Sequence, residues 1–108
     1  MREIVTYKRY FLDFYEALGE KAQEKVDYAL ILLKAQNRLS TRFVKHLEDG
    51  IFELRAIFGN NSYRILFFYD EGNIVVLCNA FQKKTQKTPR AEIEQAKRLR
   101  TDYYENKK

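Results

Sequence analysis

The spacing of apolar positions changes once along the chain. Phe11, Leu12, Phe14, Tyr15 and Leu18 recur at helical intervals, and after an interruption at Gly19 the pattern resumes with Ala22, Val26, Ala29, Leu30 and Leu33. This predicts two helices in a hairpin with Gly19 as a permissive joint, the second fading around Asn37 to Ser40. Ahead of them, Glu3–Tyr7 alternates in the manner of a short strand. From Phe43 the period falls to about 2. Ile51–Phe58, Tyr63–Tyr69 and Ile74–Phe81 read as strands, joined by Gly59-Asn60-Asn61 and Asp70-Glu71-Gly72-Asn73, whose residues tolerate the positive φ of tight turns. Runs this close pair antiparallel, because parallel neighbours need a long crossover. Phe43–His46 leaves room for an extra short strand. Thr88 and Pro89 read as the N-cap and first-turn residue of a last helix, whose apolar stripe is Ile93, Ala96, Leu99 and Tyr103. The expected class is α+β in the order β-α-α-β-β-β-α. An antiparallel meander packs against an N-terminal helical hairpin and a C-terminal helix, with residues 1–108 forming one domain.

Period 2 also assigns faces. Phe52, Leu54, Ala56 and Phe58 fall on a core face, and Ile51, Glu53, Arg55 and Ile57 on a mixed one. Arg64 shares a face with Leu66 and Phe68. Phe81 and Lys83 fall with Val75, Leu77 and Asn79, while Cys78 falls with Ile74, Val76 and Ala80 as an inert core thiol.

Composition narrows the class. One proline, four glycines and 45% hydrophobic residues in 108 exclude several domains and wholesale disorder. No apolar run approaches the ~20 residues of a membrane span, the first residues do not read as a secretory signal, and a lone cysteine forms no internal disulfide. A cytoplasmic protein without membrane partner is expected. No CxxC or HExxH spacing offers a metal site, so neither a metal nor a small-molecule cofactor is expected. The net charge of +5 is concentrated: residues 81–108 hold 9 basic and 4 acidic side chains, and Lys83, Lys84, Lys87 and Arg90 sit in a stretch without an acid. Such a stretch attracts a polyanion or an acidic protein, though a solvated lysine-rich surface has the same composition.

Arg64 is the most informative charge, since it shares a strand face with large apolar groups. Such an arginine either snorkels, pairs with a carboxylate, or sits in a concave surface to meet an anion. Cross-strand neighbours bring Arg55 to the same face in one register, and Glu53 is the bland partner for either arginine. Lys83, Lys84 and Lys87, next to a helix start, add phosphate-holding groups, and Phe81 adds a ring on which a base stacks. Proton-transfer candidates are few. His46 is the only histidine and reads as an ordinary surface residue. Tyr63, Tyr103 and Tyr104 carry phenols, but in a chain of eight tyrosines most serve packing. RNA cleavage needs no histidine, because the 2′-hydroxyl is a built-in nucleophile and charge on the phosphate is stabilised by Arg and Lys.

The runs Glu53-Leu54-Arg55, Gly59-Asn60-Asn61-Ser62-Tyr63-Arg64-Ile65-Leu66-Phe67-Phe68 and Phe81-Gln82-Lys83-Lys84-Thr85-Gln86-Lys87-Thr88-Pro89, followed by Glu92-Ile93 and Ala96, resemble the phage-derived, HigB-like branch of the RelE/ParE toxin superfamily. The resemblance implies a RelE-like fold and the toxin of a type II toxin–antitoxin pair. Such toxins cleave messenger RNA in the ribosomal A site without a metal and arrest growth by inhibiting translation. A helix-turn-helix, HigA-like antitoxin neutralises them. It further implies that Arg64 contacts the scissile phosphate, that Arg55 matches the arginine of the preceding strand, and that Lys83, Lys84 and Lys87 bind RNA backbone or the ribosome. Catalysis thus falls to Arg64, Lys83 and Lys84, and RNA binding to Arg55, Phe81, Lys83, Lys84, Lys87 and Arg90. The chain lacks the histidine or tyrosine that better-described RelE and HigB toxins carry just after the last strand, so the resemblance assigns no general base. A ParE-like toxin that traps DNA gyrase without nuclease chemistry, or a degenerate antitoxin-binding module, has the same fold.

Overall fold

The computed structural model describes residues 2–36, 39–84 and 87–107. Its elements are β1 (Glu3–Thr6), α1 (Tyr10–Glu16), α2 (Glu20–Ala35), β2 (Val44–Glu48), β3 (Ile51–Phe58), β4 (Asn61–Asp70), β5 (Ile74–Lys83) and α3 (Arg90–Asn106). The α+β class, the helical hairpin, the meander and the closing helix are those expected, and the short run before Ile51 is a strand of the same sheet. Strand order is β1-β5-β4-β3-β2, antiparallel from β2 to β5, with β1 parallel to β5. The parallel pair is feasible because hairpin and meander together supply a long crossover.

Both faces of the sheet are covered. On one, Val26, Ala29 and Leu33 of α2 pack with Leu54, Ile65, Phe67 and Leu77. On the other, Ala96 and Leu99 of α3 pack with Ile51, Leu66, Phe68, Val76 and Cys78. This explains the unbroken apolar run of β4: a strand interior to the sheet and covered on both sides gains nothing from alternation. It also explains why the mixed face of β3 is half core, with Ile51 and Glu53 fully buried.

Local signals hold at some positions and yield to tertiary contacts at others. Gly59 (φ 61) and Gly72 (φ 68) adopt the left-handed conformation their turns require, whereas Gly19 has an ordinary φ of −69 at the start of α2. Asn61 belongs to β4 rather than to the turn. α2 stops at Ala35, and Asn37 lies outside the described residues. Thr88 is not the cap of α3: Pro89 holds that position without a side-chain cap, and the Thr88 hydroxyl donates to the Glu53 carboxylate instead. A buried carboxylate left short of donors costs more than solvated helix N–H groups do.

The register of β5 has the largest consequence. Phe67 faces Leu77, yet Ile65 faces Ala80 and Arg64 faces Phe81, so β5 holds one residue more than β4 over this stretch. Cys78 and Asn79 absorb it, since Cys78 joins the core under α3 and Asn79 bonds to Glu92 of that helix. Val75 and Leu77 therefore face the helical hairpin, Ala80 packs there too, and Phe81 packs on the α3 side. Strict alternation placed Phe81 and Lys83 with Val75 and Leu77; the bulge turns them to the other face. The Cys78 thiol is buried in the core as expected, and burial pushes its pKa up to about 12.

Candidate functional site

Three consecutive strands contribute one row of side chains. Arg55 of β3 is the direct partner of Arg64 of β4, and Arg64 is the direct partner of Phe81 of β5. One step toward the sheet end, Ser62 faces Lys83, and one step the other way Glu53 faces Leu66 on one side and Lys45 of β2 on the other. Residues two apart on a strand share a face, so all of these stand on the α3 side, where the Thr88 hydroxyl reaches Glu53. The two arginines and Lys83 come together as the sequence allowed, but for Lys83 and Phe81 only because of the bulge.

Glu53 is the hub. Its Oε1 accepts from Arg55 Nε at 3.2 Å and from Arg64 Nη1 at 3.4 Å, and its Oε2 accepts from the Thr88 hydroxyl. The carboxylate is fully buried, and the Arg64 side chain is only 11% exposed. Arg55 also donates to the Thr41 carbonyl at 3.1 Å. The bland partner expected for one arginine thus serves both. Among the described residues a single carboxylate nevertheless stands against Arg55, Arg64 and Lys83. Burial, and then the Arg64 guanidinium, hold the Lys83 ammonium below the usual lysine range; burial also lowers Arg64, with Glu53 opposing and Arg55 adding to the effect. Two buried polar atoms here, Arg64 Nε and Ser62 Oγ, have no hydrogen-bond partner. A depression of about 250 Å³ adjoins the row, lined by Lys45, Lys83, Lys87 and Thr88 among others. Fixed cations beside unpartnered donors suit an oxyanion.

Other candidates lie elsewhere. Lys84 is exposed just beyond β5. Arg90 points toward β2, where it binds Glu48 through both terminal guanidinium nitrogens and also pairs with Glu94. Those donors, with Lys97, hold the Glu48 carboxyl down at about 2. Tyr63 is on the opposite face, buried against Phe14. Tyr103 and Tyr104 donate to the buried Asp70 at 2.7 and 3.3 Å. Asp70 is six positions along β4 from Arg64, roughly 20 Å away. None of the three phenols joins the row. His46 accepts from the Gly50 N–H at 3.2 Å and lies edge-on to Phe52. Sequence reasoning missed Lys45 and Ser62. Lys45 was detectable, since it alternates with Val44 and His46 on a strand; a serine after a turn carries no such signal. Among the described residues no group of three or more His, Cys, Asp or Glu side chains is placed to hold a metal, and no helix is long and apolar enough to cross a membrane.

A sheet of this order between a helical hairpin and a C-terminal helix, with an arginine row beside a basic segment, defines a RelE-like toxin domain. The chain belongs to the phage-derived, HigB-like branch of the RelE/ParE superfamily: residues 13–101 match the family described as "Phage derived protein Gp49-like (DUF891)". Among curated proteins it is similar to "Probable endoribonuclease HigB1" from two strains of Mycobacterium tuberculosis, each 36% identical over 80 residues. The match covers 71% of this chain and 63% of the relatives, so less than two thirds of their length is spanned.

Proposed function

We propose that the protein is an endoribonuclease toxin of a type II toxin–antitoxin pair, cutting messenger RNA engaged by the ribosome. The observation that carries this reading is the cross-strand row Arg55–Arg64–Phe81 with Ser62 opposite Lys83, in which, among the described residues, one carboxylate stands against three cations. The 2′-hydroxyl gives its proton to solvent as its oxygen attacks the adjacent phosphorus, the bond to the 5′-oxygen breaks, and a 2′,3′-cyclic phosphate and a 5′-hydroxyl are left. Arg64 and Lys83 neutralise the extra charge of the phosphorane, and the Ser62 hydroxyl adds a donor. Lys83 delivers a proton to the leaving 5′-oxygen, a role its lowered pKa favours. Phe81 stacks on a base, and Lys45, Lys84 and Lys87 hold backbone phosphates. Arg55 keeps Glu53, and through it Arg64, in place.

The partner of such a toxin is a helix-turn-helix antitoxin, and an acidic segment of it fits the basic surface, where charge pairing sets specificity and association rate. Expressing the chain in growing cells and mapping RNA ends tests the reading. New 5′-hydroxyl ends confined to translated transcripts are expected. Arrest with intact transcripts and inhibited supercoiling would assign the ParE-like activity instead, and unimpaired growth a degenerate binding module.

A further inference from the structure

A depression of about 400 Å³ lies outside the cationic row, between the flank of α3, the β5 bulge and the start of α1. Tyr10, Asn79, Glu92, Gln95 and Arg98 line it. Asn79 is 4% exposed. Its Nδ2 donates to the Glu92 carbonyl at 3.1 Å and to the Glu92 carboxylate Oε1 at 2.8 Å, while its Oδ1 has no hydrogen-bond partner. With both donor hydrogens committed, the Asn79–Glu92 pair has only acceptors left to offer. An acceptor-only wall repels phosphate and selects N–H donors. Tyr10 is 48% exposed and supplies a ring, and the Arg98 guanidinium, anchored on Gln95, supplies a donor.

The bulge also fixes where this depression lies relative to the row. Asn79 and Phe81 are two residues apart on the same side of β5, roughly 7 Å along the strand, and Phe81 stands beside Arg64. A nucleotide whose phosphate meets Arg64 and Lys83 has its neighbour's base within reach of Asn79.

We infer that this depression is a nucleobase pocket and that it takes guanine. Of the four RNA bases, only guanine presents two adjacent N–H donors, N1–H and the N2 amino group, on one edge. The two oxygens of the Glu92 carboxylate accept them, Arg98 donates to O6, and Tyr10 stacks on the ring. The Asn79 amide stays where it is: its bond to Glu92 Oε1 at 2.8 Å holds the carboxylate at the wall of the depression. The inference rests on the reading that RNA lies along the Arg64 row. Glu92 and Asn79 are then specificity residues rather than parts of the cleavage machinery.

The test is fluorescence anisotropy of the purified chain with three labelled hexaribonucleotides: all uridine, uridine with one guanosine, and uridine with one adenosine. The guanosine oligomer should bind about tenfold more tightly than the adenosine one, as a bidentate base contact provides. Glu92→Gln should bring that ratio to near one without changing all-uridine affinity, and Tyr10→Ala, an exposed change, should lower guanosine affinity in the same way. Arg64→Ala should weaken all three by one factor. Equal binding of guanosine and adenosine oligomers by the unaltered chain, or a ratio untouched by Glu92→Gln and Tyr10→Ala, overturns the pocket while Arg64-dependent binding leaves the nuclease reading standing. Failure to bind any of the three at low salt overturns the pocket, and the mapping of 5′-hydroxyl ends on translated transcripts then decides the nuclease reading by itself.

Discussion

Glu53 is the residue on which the cationic row depends. Two guanidinium groups and a hydroxyl converge on it with no solvent access to the carboxylate, so it ties both arginines into one row. Replacing Glu53 by Ala leaves two partly buried cations uncompensated and should cost about 3–5 kcal/mol in denaturant unfolding. Arg64→Ala leaves Glu53 bonded to Arg55 and Thr88 and should cost about half that. Equal losses would mean that Arg64 is a structural arginine first. Lys83 gives a second prediction at this scale. As the acid that protonates the leaving oxygen it acts only while charged, so the cleavage rate should fall as pH rises through its pKa, at a pH below the ~10.4 of free lysine. Lys83→Arg, whose guanidinium keeps the charge but gives up no proton, should cleave more slowly and without that fall. The grouping of Arg55 with Arg64 was legible from alternation alone. Ser62 was not, because nothing marks a serine after a turn as a buried donor.

Among the elements, β5 and α3 decide what the site contains. Antiparallel strands pair residue by residue until an extra residue intrudes, and alternation then predicts the wrong face for everything beyond it. Cys78 and Asn79 are that intrusion, and neither residue type announces a bulge. The sequence therefore supported Phe81 and Lys83 as site residues while grouping them with Val75 and Leu77, which the bulge separates from them. Thr88 was misread for a related reason: its side chain answers to Glu53, 35 positions away, rather than to the helix it precedes. At its other end α3 is latched to the sheet by Tyr103, Tyr104 and Lys107 around Asp70. The bond to Asp70, reinforced by burial, pushes the Tyr103 phenol up to about 12, above the ~10 of an unfolded chain. The folded state thus holds this proton more tightly. The stabilisation is complete below pH ~10 and is lost as pH rises toward 12. Tyr103→Phe should lower stability at neutral pH and flatten the decline between those values, measured by thermal unfolding across the pH range. An unchanged slope would show that the latch does not titrate through Tyr103.

At the scale of the whole molecule, order and class were readable because the hydrophobic period changes cleanly from helix to strand. The unbroken apolar run of β4 is the signature of a sheet covered on both faces. The pairing of β1 with β5 had no local signal, since a four-residue strand carries no record of its distant partner. What the architecture provides is a sheet whose end on the α3 side carries more cations than carboxylates among the described residues. The most direct test of the function assigned to that end follows translated transcripts with Arg64→Ala while thermal unfolding is monitored on the same preparation. A folded variant that leaves translated messages uncut, beside an unaltered chain that cuts them, is the outcome expected; folded Arg64→Ala that cuts them at the original rate contradicts the account.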